Sequence, residues 1–266
     1  MFNSIKAYIK NKLRSKGLYV EKSTSKEAVA SLIKSLYPVK TDKELIRLGP
    51  DHDGGYLVPD DLKNIKACFS PGVGRMSNFE VSCLEYGMQL FLADKSVDGP
   101  GAEHKELNFL KKYVGPINNE DYTTLDDWVR TSIGTHDEDL MLQMDIEGYE
   151  YVTILNTSEQ LLKQFRVIII EFHNLHKLWN KEFFLTTSLV FQKLLQNHYC
   201  VHIHPNNISS PYVQHGIAIP SVAEFTFIRK DRGDAKGFRN DFPHVLDKDN
   251  TPNTPVVLPE MWYKRD

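Results

Sequence analysis

Short apolar blocks alternate with amphipathic stretches along most of this chain. NIKACFS (64–70), MQLFLAD (88–94), DLMLQMD (139–145) and RVIIIEFH (166–173) each hold a compact apolar run. The last is strongly β-branched, the pattern of a central strand buried on both faces. CVHIHPNN (200–207) and AEFTFIRKD (223–231) read as two late strands with little helical pattern between them. Helical patterns fill the intervals: SKEAVASLIKSLYPVK (25–40), SNFEVSCLEYG (77–87), TSEQLLKQF (157–165) and FFLTTSLVFQKLLQNHY (183–199). Ser25 is placed to cap the first and Pro38 to close it. Thr157 and Gln160 have the spacing of a capping box. Strands alternating with helices predict an α/β fold, with a mostly parallel sheet, helices on both faces and an antiparallel pair at one edge. LGPDHDGGYLVPDDL (48–62) reads as a structured turn, with Gly54 and Gly55 free to take positive φ. The Pro-, Asn- and Asp-rich tail after Asp231 is expected to be an irregular strap.

The N-terminus has a pattern of its own. Phe2, Ile5, Ile9 and Leu13 recur at helical spacing, among Lys6, Lys10, Lys12, Arg14 and Lys16 and no acid. The stretch lacks the apolar core of a secretory signal. It reads as an appended helix, packing on its own domain or on a second subunit of a homo-oligomer, or docking on a membrane surface or a protein through residues 1–17.

Composition narrows the function classes. The 266 residues suit one large domain or a core domain with an extension, and the 41% hydrophobic content supports a sizeable core. Thirty-two basic residues against 35 acidic ones give a net charge of −3, which offers no global attraction to nucleic acid. Three widely spaced cysteines form neither a disulfide framework nor a zinc cluster, so the expected compartment is reducing and cytoplasmic. No apolar run approaches the roughly 20 residues that span a bilayer.

In open α/β sheets, ligands bind outside the carboxyl ends of the strands, so chemistry is sought there. One strand ends in Ser70-Pro71-Gly72-Val73-Gly74, where two glycines let the backbone approach a ligand at a helix start. Another ends in Asp94, which can accept hydrogen bonds from both hydroxyls of a ribose. Asp145 closes the strand of DLMLQMD, with Glu147 and Glu150 just beyond, and Glu171 and His173 end the next strand. If these two strands are neighbours, Asp145, Glu171 and His173 gather on one edge. They then form either a site for a hard cation or a general base and its orienter. His204 and Asn206 are expected to line the same cleft and, with Glu147, to meet a substrate. A glycine turn and a ribose acid also suit a NAD-type oxidoreductase, although the third glycine of that fingerprint is missing. The acids and histidines also suit a metal-dependent hydrolase.

Taken in order, LGPDHDGGYLVPDDL, CFSPGVGRMSNFE, TTLDDWV, LMLQMDIEGYEYVTIL and VIIIEFHNL resemble the FkbM-like methyltransferases over roughly residues 45 to 230. The resemblance implies a Rossmann-like class I fold; the expected division is that domain at 45–266, with the irregular strap at its end, and a helical extension at 1–44, which lies outside the resemblance. It implies S-adenosylmethionine (SAM) as cofactor and an acceptor hydroxyl on a sugar or nucleotide-activated sugar of a surface polysaccharide. By position, Ser70, Gly72 and Gly74 fall near the methionine part of SAM, and Asp94 at its ribose. Asp53, Gly55 and Tyr56 fall near the cofactor or the cleft. Asp145, Glu171 and His173 face the transferred methyl, with His173 as base or all three holding Mg²⁺ or Mn²⁺. SPGVG departs from the usual class I turn, which carries an acid and more glycines.

Overall fold

A computed structural model describes residues 2–20, 22–73, 78–100, 106–134 and 137–265. Its centre is a seven-stranded sheet, numbered here in chain order. The strands are β1 (Ala67–Pro71), β2 (Gln89–Ala93), β3 (Leu107–Leu110), β4 (Leu140–Met144), β5 (Phe165–Phe172), β6 (His198–Pro205) and β7 (Ala223–Arg229). Their spatial order is β6-β7-β5-β4-β1-β2-β3. Pairings from β5 through β3 are parallel, and β7 runs antiparallel to both β5 and β6. This is the Rossmann-like methyltransferase sheet. The expected antiparallel edge pair is present, with the later strand inserted inside the earlier one. The chain winds outward from β1 to β3, then restarts at β4 on the other side of β1. That reversal opens a crevice at the carboxyl ends of β1 and β4.

Side chains alternate across the sheet and build two cores. Phe69, Leu142, Met144, Ile170 and Phe172 face one side. There they meet helices α2 (Lys26–Ser35), α4 (Leu125–Ile133), α5 (Glu150–Asn156), α6 (Glu159–Gln164) and α7 (Lys181–Asn197). Cys68, Leu90, Met141, Val167 and Ile169 face the other side, against α3 (Asn78–Leu84) and a hairpin of Leu45–Leu48 with Tyr56–Pro59. All eight positions of β5 are buried, as its β-branched run predicts. The preceding helix α1 (Phe2–Arg14) leaves Ile5 and Ile9 exposed.

Several local expectations shift. The DGGY segment is the loop of that hairpin. Gly54 takes φ +79, while Gly55 is needed for space, since a Cβ there would lie 2.0 Å from the Pro50 carbonyl oxygen. Ser25 caps α2, accepting from Ala28 N. The cap of α6 is Ser158 rather than Thr157, whose hydroxyl donates back to the Thr153 carbonyl of the preceding helix. In the tail, Ala235–Phe238 pairs with Val39–Thr41, and Leu258 and Trp262 reach the main core.

Candidate active site

A cavity of about 670 Å³ opens at the crevice, within the size range of ligand pockets. Backbone bonds tie its floor together: Gly72 N donates to Ala93 O, Asp145 N to Pro71 O and Asp94 N to Leu110 O. Gly72 has φ +89, and a Cβ there would sit 1.4 Å from the Asp145 carbonyl oxygen. No other residue fits where the β1 turn crosses the start of the β4 loop. Asp94 lies on the wall, its Oδ1 accepting from Ser96 N (2.6 Å) and Ser96 Oγ (2.7 Å). Asp53 reaches in from the hairpin loop, and Asp145 and Glu147 from the β4 loop. Tyr113, Tyr122 and Tyr149 also line the cavity as a chain of rings, 5.4 and 6.0 Å between successive centroids. Sequence reasoning missed these tyrosines. The available signal was two of them bracketing the turn-rich YVGPINNEDY before TTLDDWV.

His173 is aimed from the end of β5. Its Nδ1 lies 3.1 Å from Glu150 Oε1. Its Nε2 lies 3.4 Å from Glu147 Oε2 and 3.9 Å from Asp145 Oδ1. Glu150 is fully buried, and the same oxygen accepts from Ile146 N and Gly148 N. One carboxylate therefore shapes the β4 loop and orients the imidazole, holding Nδ1 and leaving Nε2 toward the other acids. This role goes beyond favouring a helix start. Glu147 takes φ +56 in that loop, a left-handed position for a non-glycine at the cavity mouth. Burial alone would lower the His173 pKa, but the Glu150 hydrogen bond and the charges of Glu150, Asp145 and Glu147 outweigh it and raise it.

Behind this pair lies a row of polar groups on the hairpin side of the sheet. Glu171 pairs with Glu224 across β5 and β7, and Glu224 with His204 across β7 and β6, in line with Asp145 just past β4. Burial, reinforced by the neighbouring acids, raises Asp145 to about 7 and Glu171 well above its usual range. Burial likewise raises Glu224 to about 7, against the opposing pull of His204 and Asn250. Asp145, Glu171 and His173 each bring a donor atom within 4.8 Å of the others. Among the described residues, Asp145 Oδ1 and Glu171 Oε2 are buried with no hydrogen-bond partner, which fits a cation-binding set. Glu224 yields a prediction. Its folded pKa lies above its unfolded value, so its contribution to stability is full below about pH 4 and lost as pH rises through about 7. Glu224→Gln is therefore expected to flatten the fall in melting temperature between pH 5 and 8 and to raise it at pH 8, as read by thermal melts.

Other expected site residues stand elsewhere. Ser70 is buried away from the cavity, its Oγ 2.6 Å from both Glu80 Oε1 and Gln143 Oε1. One hydroxyl carries one proton, so this set is satisfied when Glu80 is protonated, and burial does raise Glu80. Tyr56 accepts from Gln143 Nε2, and Gly55 packs on Arg47 and Pro50, so both support the wall from behind. His204 and Asn206 do not line the cleft, because β6 lies at the sheet edge beyond β7. His204 Nδ1 lies 3.6 Å from Asp247 of the tail, and Asn206 Nδ2 donates to Glu171 Oε1. Gly74 lies outside the described residues. Gly72, Asp94, Asp53, Asp145 and Glu147 do share one cavity, and His173 and Glu171 stand beside Asp145 outside its lining.

No curated protein matches the chain significantly. Among solved structures, the Methanococcus jannaschii fibrillarin pre-rRNA processing protein is similar at 11% identity and a TM-score of 0.38, over 73% of this chain and 84% of that one. The sheet order, not this likeness, carries the fold assignment. The family described as "Methyltransferase FkbM domain" matches residues 62–199, more than half of the chain and the segment that supplies β1 to β5 with their loops. The chain belongs to the FkbM methyltransferase family.

Proposed function

We propose that this methyltransferase uses SAM to methylate a hydroxyl of a sugar or nucleotide-activated sugar, a precursor of a surface polysaccharide, in the cytoplasm. The carrying observation is the Glu150–His173 pair, with Nε2 directed toward the acids of the cavity. The cofactor reading is supported by Gly72 and Asp94, which line one cavity just past the ends of the neighbouring strands β1 and β2. When bound, SAM supplies a methyl group already activated on its sulfonium. The chain's task is then to hold the acceptor oxygen and take its proton. His173 Nε2 takes the proton, and Glu150 holds the ring and offsets the charge that develops on it. Asp53, Asp145 and Glu147 accept hydrogen bonds from acceptor hydroxyls, and the tyrosines offer flat faces to a ring. The unpaired thiols of Cys68, Cys83 and Cys200 suit a reducing compartment.

The buried Asp145 Oδ1 and Glu171 Oε2, which accept no hydrogen bond from the described residues, favour a second reading of the same step. Asp145, Glu171 and His173 would hold Mg²⁺ or Mn²⁺, whose charge would acidify the acceptor hydroxyl.

Methyl transfer from SAM across a panel of nucleotide sugars, with and without a chelator, tests both. Turnover that ignores the chelator supports the base. Turnover that the chelator stops and Mg²⁺ restores supports the metal. Absence of SAM binding by calorimetry overturns the proposal. Asp94→Ala is expected to weaken SAM binding by roughly 10- to 100-fold, the value of hydrogen bonds to a charged group.

A further inference from the structure

We propose that α1 docks the protein on an anionic lipid surface. Its apolar stripe is uncovered: Ile5 is 53% exposed and Ile9 51%, with Tyr8 at 66% beside them. The exposure continues beyond the helix at Leu18, Tyr19 and Val20. Tyr19 and Val20 also border a cavity with Trp179 and Glu182 of the body, to which the Thr24 N–H is tied through the Trp179 carbonyl. Exposed apolar side chains scattered singly need no explanation, but six among the described side chains of residues 5–20 do.

Charge selects the occupant. Lys12 and Lys10 lie to either side of the stripe, Arg14 on the opposite face and Lys16 after the helix, and residues 1–20 contain no acid in a chain whose net charge is −3. Cationic side chains can extend past an apolar face to lipid headgroups, and the tyrosines suit the interfacial layer. At 13 residues the helix is too short to cross a bilayer, which takes about 20, so it lies on the surface. A second copy of α1 fits less well. Both flanks of the stripe would set cation against cation, and 13 residues are short for a pairing helix. Nucleic acid would meet the lysines but leave the isoleucines without a role.

The test is co-sedimentation of the full chain with vesicles of phosphatidylcholine alone and of phosphatidylcholine mixed with phosphatidylglycerol. Partition onto the anionic vesicles is expected to be about tenfold stronger or more, and to fall with added salt. Ile5→Asp with Ile9→Asp is expected to abolish it. Lys10→Ala with Lys12→Ala is expected to lower it by roughly fivefold per lysine. The stripe lies outside the core, so the melting temperature of these variants stays unchanged and folding does not confound the result. Equal partition onto both vesicle types, no partition onto either, or partition unaffected by the aspartates overturns the proposal. Dissociation of an oligomer by the aspartates, without vesicle binding by the parent, overturns it in favour of a second copy.

Discussion

His173→Ala is expected to lower kcat for methyl transfer by about 10²–10⁴-fold, the usual share of a positioned general base. SAM affinity should stay within about twofold, because His173 is not among the residues that line the cavity. Single-turnover rates and calorimetry on the same variant separate the two effects. Unchanged turnover would remove His173 from the chemistry. The pH dependence adds a sign. A histidine base works when neutral, so the rate climbs as pH rises through its pKa. Burial pulls that pKa down and Glu150, Asp145 and Glu147 push it up by more, placing the climb above the ordinary histidine value of 6.5. Glu150→Gln keeps the shape of the side chain and the acceptor oxygen but removes its charge. The climb should therefore move to lower pH, with a smaller loss of kcat than His173→Ala. A merely structural Glu150 would change stability and leave the position of the profile alone.

The second large effect is on folding and cofactor binding together. Gly72→Ala places a Cβ 1.4 Å from the Asp145 carbonyl oxygen and 2.5 Å from its carbon, at φ +89. Both opposing atoms are backbone, so relief requires β1 and β4 to part at their ends. A cost of about 3 kcal/mol or more is expected. For a chain of this size that is a fall in melting temperature of roughly 6–12 °C. SAM affinity should fall with it, since the displaced loop carries Asp145 and Glu147 into the cavity. Gly54→Ala is the control. It also has positive φ, at +79, but nothing lies within 4 Å of the added carbon. It should cost only the backbone strain, about 1 kcal/mol. Equal losses for the two variants would mean that conformation, not the crossing of β1 over the Asp145 loop, makes Gly72 necessary.

The legible parts of this protein were those written as local pattern. β1, β2, β4, β5, β6 and β7 all announce themselves as apolar or alternating runs, and α2 and α7 as periodic ones. β3, Leu107–Leu110, was missed because it is a short strand half open to solvent, with no strong alternation. The hairpin at 45–59 was hidden by the turn chemistry that joins its halves, which outweighed the strand signal on either side. The site followed the same division. Gly72, Asp94, Asp145, Glu171 and His173 were found because each sits at a strand end, and strand ends can be counted. The roles of Glu150, Glu224, Asn250 and Asp247 were not legible, because their partners lie on other elements far along the chain.

The sequence by itself determined the α/β alternation, the acids and histidine at the ends of β4 and β5, and the family motifs in order. These depend on side-chain period and turn chemistry within a few residues. Only the tertiary structure decided that β7 enters between β5 and β6, lining Glu171, Glu224 and His204 into one row. It alone turned Ser70, Tyr56 and Asn206 away from the cavity and put Tyr113, Tyr122 and Tyr149 on its wall. The physical reason is that a residue's face follows from its own strand, whereas its neighbours across the sheet follow from strand order and register, which long-range packing selects.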